Sequence, residues 1–92
     1  IIHILMIDSV SIKEVKKKMG DLCRQQRQRY EMSQEDLGEA LGISRYTIQK
    51  FESGKNATLD TFLKITKHFD LMDDFYRALN TIADINNMDS MY

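Results

Sequence analysis

Between Ser33 and Ser44 the chain starts one helix, stops it and starts another. Ser33-Gln34-Glu35-Asp36 sets an N-cap hydroxyl ahead of acids in the first turn, where the helix dipole favours negative charge. Leu37, Ala40 and Leu41 follow as its apolar face. Gly42 ends the segment, because glycine takes the left-handed conformation without a Cβ penalty. Ser44 then caps a second helix, which carries Ile48 and Phe51 inward and stops at Ser53-Gly54. Two short helices joined by so tight a turn cross steeply and leave the second one protruding.

The flanks are also helical. Ser11-Ile12-Lys13-Glu14 has the form of a capping box, and Ile12, Val15, Met19 and Leu22 repeat behind it at the spacing of one helix face. Gly20 weakens that helix by roughly 1 kcal/mol relative to Ala, so either the helix passes through it or a new one begins there. This unit is expected to end near Glu31. Thr58 caps a fourth helix in which Leu59, Phe62, Leu63, Thr66 and Phe69 repeat at helical spacing. A fifth takes Met72, Phe75, Leu79 and Ile82. The class is all-α, in five helices, with a short N-terminal β-strand as the one exception, over Ile1 to Ile7. The expected organisation is an extension over 1–10, a helical domain over 11–85 with its central motif at 33–54, and a polar tail over 86–92.

Composition removes several function classes. A chain of 92 residues makes one small domain. The single Cys23 excludes an internal disulfide and reads as a packed residue rather than a nucleophile. His3 and His68 stand far apart with no Cys, His or Asp cluster at ligand spacing, so no metal or other cofactor is expected. Asp73-Asp74 reads as solvated surface, and no small-molecule substrate or catalytic step is implied. The longest apolar run, Ile1 to Ile7, is broken by His3 and falls well short of the ~20 residues that cross a bilayer. It lacks the basic flank and cleavage site of a signal peptide, so the expected location is cytoplasmic.

Net charge is −1, but it is unevenly spread. Residues 1–56 carry +2 and residues 57–92 carry −3, with a local +5 between Lys13 and Arg29. A basic front suits a polyanion. The second motif helix sharpens this. At about 100° per residue, Arg45, Tyr46, Gln49 and Lys50 share one sector of about 140°, opposite Ile48 and Phe51. That outer face holds no acid. Its amide, guanidinium and ammonium groups suit base edges and phosphates, and a major groove about 12 Å wide admits one helix.

The stretch from Ser33 to Ser44, with Thr47-Ile48 and Phe51-Glu52-Ser53-Gly54-Lys55 behind it, resembles the helix-turn-helix of the lambda-repressor-like (Cro/C1-type) regulators. The resemblance runs from about Gly20 to Leu79. It implies a five-helix DNA-binding domain in which Arg45, Tyr46, Gln49 and Lys50 face the groove. Arg45 would suit guanine, and Gln49 would suit adenine or hold Arg45 in place. Phosphate contacts fall to Gln34, Ser44, Thr47, Lys55 and Asn56, with Gln34 also bracing the recognition helix. The resemblance further pairs Arg27 with Glu52 as a structural ion pair. Gly38 departs from the Ala usual in the family and is expected only to loosen its helix.

These features together lead to the expectation of a repressor that binds double-stranded DNA at a palindromic site as a homodimer. Met72, Phe75, Leu79 and Ile82 are the candidate dimer interface. Two rivals accompany it: an antitoxin that also masks a toxin protein, and a protein-interaction module without DNA binding.

Overall fold

The computed structural model describes residues 9–55 and 57–90, and of residues 88–90 only the backbone. The order is α1 (Ile12–Arg29), α2 (Gln34–Leu41), α3 (Arg45–Glu52), α4 (Leu59–His68) and α5 (Met72–Ser90). Among the described residues there is no strand. The expected strand over Ile1 to Ile7 lies outside them, as does His3.

Hydroxyl caps set the helix starts. Ser11, Ser33, Ser44 and Thr58 each accept from the backbone N–H three residues on. The reciprocal box forms at Ser33, where the Asp36 carboxylate accepts from the Ser33 N–H at 2.9 Å. At Ser11 the Glu14 carboxylate instead accepts from the cap's own hydroxyl, so that box is only half made. Gly42 ends α2 at φ 71°. The last helix continues to Ser90, through most of the stretch expected as a tail.

Cys23, Leu37, Ile48 and Phe51 are fully buried, and Phe62 and Ile65 of α4, with Phe69 at its C-cap, close the core around them. Each such apolar side chain contributes about 1.5–3 kcal/mol on leaving water. Phe51 stacks on Phe62 at 6.3 Å, and Phe62 meets Phe75 edge-on at 5.2 Å. This ladder ties α3 to α4 and α4 to the start of α5.

Glycine sets how closely the helices approach. α1 passes through Gly20 unbroken, and a Cβ there would lie 2.6 Å from the carbonyl oxygens of both Phe51 and Glu52. The residue that weakens the helix is the one that lets α1 lie across the end of α3. Gly38 acts in the same way. A Cβ there would lie 2.7 Å from the Ile43 carbonyl oxygen, so the glycine also lets the turn after α2 pack closely against that helix.

Several residues of the apolar stripes are not buried. Ile12 is 77% exposed and Val15 46%, because the first turns of α1 run past the core, while Met19 and Leu22 pack against it. Ala40 and Leu59 are also exposed, and Ile65, not among the expected core, is buried. The Cα radius of gyration is 15.9 Å. A compact chain of this length would have ~12 Å. The excess reflects helices that extend beyond the core.

Candidate nucleic-acid interface

The protruding helix is α3, and its position depends on one buried carboxylate. Glu52 ends the helix with its side chain 1% exposed. Arg27 grips it bidentately: Nε donates to Oε2 at 2.8 Å and Nη2 to Oε1 at 2.9 Å. Its remaining nitrogen, Nη1, donates to the Met32 carbonyl at 3.0 Å. Gln34 Nε2 donates to Glu52 Oε1 at 3.1 Å, and the Cys23 thiol donates to Oε2 at 3.5 Å. Arg24 approaches from the rim, 3.6 Å from Oε1, and also donates to the Glu52 carbonyl. Helices α1 and α2 thus hold the base of α3 through one charge. Among the described residues no buried side-chain polar atom lacks a partner.

The electrostatics follow. Burial opposes the Glu52 charge, but the Arg27 and Gln34 bonds outweigh it and hold the carboxyl below its ordinary range. The Arg27 guanidinium is raised, chiefly by its bonds to Glu52. Burial, reinforced by the neighbouring carboxylate, pushes the Cys23 thiol up to about 12. It is therefore a neutral donor, not a nucleophile.

Above this base, Arg45, Tyr46, Gln49 and Lys50 are all exposed, and Thr47 is half-buried. Arg45 Nη2 donates to the Tyr46 hydroxyl at 3.3 Å, with its guanidinium carbon 5.1 Å from the ring centroid. Tyr46, not Gln49, holds Arg45. Adjacent residues on a helix do not usually face each other, so spacing gave no signal of this pair. The Ser44 and Thr47 hydroxyls lie 2.9 Å apart and share one hydrogen bond at the cap, which leaves one O–H to donate elsewhere. Gln34 is half-buried with its amide committed to Glu52, and Lys55 is exposed in the turn after α3. Asn56 lies outside the described residues. The structure thus brings Arg45, Tyr46, Gln49 and Lys50 to one open face and gathers Arg27, Gln34 and Glu52 beneath it.

The sequence model of the helix-turn-helix family matches residues 24–71, from Arg24 in α1 to Leu71 ahead of α5. The chain belongs to that family. Over about half its length it is similar to proteins named as HTH-type transcriptional regulatory proteins. One, from Methanoculleus marisnigri, is 50% identical over 50 residues, covering 54% of this chain and 16% of that protein. Another, from Methanoregula boonei, is 48% identical over the same length and coverage. A third, from Methanospirillum hungatei, is 39% identical over 51 residues, 55% of this chain and 17% of that protein. The chain therefore spans about one sixth of the length of the curated relatives it matches. No solved structure matches it significantly.

The expected dimer residues divide. Phe75 packs on Phe62, and the Met72 sulfur accepts from the Thr66 hydroxyl at 3.3 Å. Leu79 and Ile82 are at least half exposed, as are Tyr76 and Ile85 elsewhere on α5. Among the described residues no His, Cys, Asp and Glu group could hold a metal, and no helix is long and apolar enough to cross a membrane.

Proposed function

We propose that this helix-turn-helix chain reads DNA sequence as part of a transcriptional regulator. The observation that carries this is the acid-free outer face of α3, with Arg45, Tyr46, Gln49 and Lys50 all open to solvent above a base locked by Glu52. A rigid base matters because bidentate contacts to base edges tolerate little misplacement. Arg45, steadied by Tyr46, suits O6 and N7 of guanine, and Gln49 suits N6 and N7 of adenine. Lys50 completes the groove-facing set, while Lys55, Asn56, Ser44, Thr47 and the second N–H of the Gln34 amide are the phosphate-contacting set, which fixes register without carrying sequence information. The names of the relatives support a regulatory role.

Two copies joined through Leu79 and Ile82 would carry two α3 helices. Presented about 34 Å apart, they would enter successive major grooves of a palindromic site. Occupancy of such a site blocks or redirects polymerase, the action of a repressor. Enrichment of random duplexes by the purified chain, followed by sequencing, tests this. A symmetric motif with two half-sites about one helical turn apart is expected. Recovery of no motif over background refutes sequence reading, and a single unsymmetric half-site refutes the palindromic dimer.

A further inference from the structure

The lysine-rich start of α1 is not a uniform cationic surface, because the packing of α1 on α3 sorts its charges by face. Gly20 lies against the last carbonyls of α3, and Arg24 donates to the Glu52 carbonyl at 3.5 Å. One turn earlier, the backbone of Lys17 reaches the turn that leaves α3: the Cβ position of Gly54 lies 3.4 Å from the Lys17 Cα. So α1 runs along the exit turn that carries the exposed Lys55.

At about 100° per residue, Lys13 and Arg24 fall within about 40° of Lys17. At 1.5 Å per residue the three span about 16 Å along the helix. Lys13 and Lys17 are exposed, and the Arg24 side chain is 46% exposed. Lys18 and Arg29, also exposed, point roughly 100–120° away from this line. Asp21 and Glu14, about 40° and 60° from Lys17, lie between this line and Lys18 and Arg29 and separate the two sets of cations, while half-buried Lys16 lies about 100° away on the opposite flank.

We propose that Lys13, Lys17 and Arg24 form a second line of DNA-backbone contacts, continuous with Lys55, that engages phosphates flanking the groove entered by α3. This rests on the DNA-binding reading and extends it. It gives the chain a grip that is independent of sequence and lies on a different helix from the one that reads bases. A net charge of −1 then presents no obstacle, because the cations that matter stand on one edge.

The test compares two double variants of equal charge, Lys13→Gln/Lys17→Gln on the ridge and Lys18→Gln/Arg29→Gln off it. Binding to a selected duplex and a random duplex is followed by fluorescence anisotropy over several salt concentrations. Circular dichroism verifies that all four substitutions leave the helices intact. The ridge variant should lower the salt slope by about 1.8, or 0.9 for each lost phosphate contact, and by the same amount on both duplexes. The off-ridge variant should leave the slope within about 0.5 of the unsubstituted chain's value. Equal losses in the two variants would mean a diffuse field and overturn the ridge. An unchanged slope in the ridge variant, with the unsubstituted chain binding normally, would overturn it too and leave base reading by α3 standing. An unsubstituted chain that binds neither duplex at low salt would sink the DNA reading itself.

Discussion

Replacing Arg27 with Met removes the main partner of a carboxylate whose side chain is 1% exposed. Met keeps much of the apolar stem, so the loss is chiefly electrostatic. Leaving one member of a buried pair uncompensated costs about 3–5 kcal/mol. The lower end applies here, about 3 kcal/mol, because Gln34 and Cys23 still donate to Glu52 and Arg24 stands 3.6 Å away. In urea, with a slope of about 1.5 kcal/mol per molar, the midpoint should fall by about 2 M. The dependence on pH is the sharper readout. In the intact protein Glu52 titrates below its ordinary range, so its stabilisation holds above the unfolded carboxyl pKa of about 4.3 and is lost as pH falls through the lower folded value. Without Arg27, burial pushes that pKa up instead, and the buried charge is relieved as pH falls. The gap between Arg27→Met and the unsubstituted chain should therefore narrow from pH 7 to about pH 4. The double variant Arg27→Met/Glu52→Leu should recover most of the loss, since an apolar pair in such a site is often neutral. A loss under about 1 kcal/mol at pH 7, or a gap that does not change with pH, would refute the role given to this pair.

Gly20→Ala should destabilise despite the better helix propensity of Ala, by about 1–3 kcal/mol. The added Cβ meets two backbone carbonyls at 2.6 Å, and a thermal midpoint equal to or above the original would contradict that close approach. Cys23, fully buried and with its thiol pushed up to about 12, should resist a thiol reagent at neutral pH until the chain unfolds. Stoichiometric labelling of folded protein within minutes would rule this out. Leu79→Asp/Ile82→Asp should leave the thermal midpoint within a few degrees but reduce the mass seen in sedimentation to that of one chain. An unchanged assembly mass would move the interface elsewhere.

The helices were legible where a hydroxyl cap announced them, as at Ser33, Ser44 and Thr58. The end of α1, expected near Glu31, falls at Arg29, with Glu31 at φ 56° just beyond it. The end of α4 was not legible, because it is followed by Asp70 at φ 59°, a position that usually selects Gly, so the residue gave no stop signal. Periodicity marked an apolar face on α1 and α5 but could not say how far the core reaches. Ile12 and Val15 belong to a stripe that extends past it. The pairing of Arg27 with Glu52 came from family resemblance, since no local pattern joins residues 25 positions apart. The Cys23 donor and the Arg45–Tyr46 contact carried no sequence signal at all. Gly20 and Gly38 were visible as oddities within helices, but their reason, the carbonyls of a neighbouring segment, exists only in three dimensions.

The central claim is that the outward side of α3 discriminates between bases, and Arg45→Ala measured on two duplexes tests it most directly. On the duplex selected by enrichment the variant should lose about 1–3 kcal/mol, roughly 5- to 150-fold in Kd, and relax preference at one base position. On a random duplex the loss should be limited to one electrostatic contact. Equal losses on both duplexes would contradict the claim.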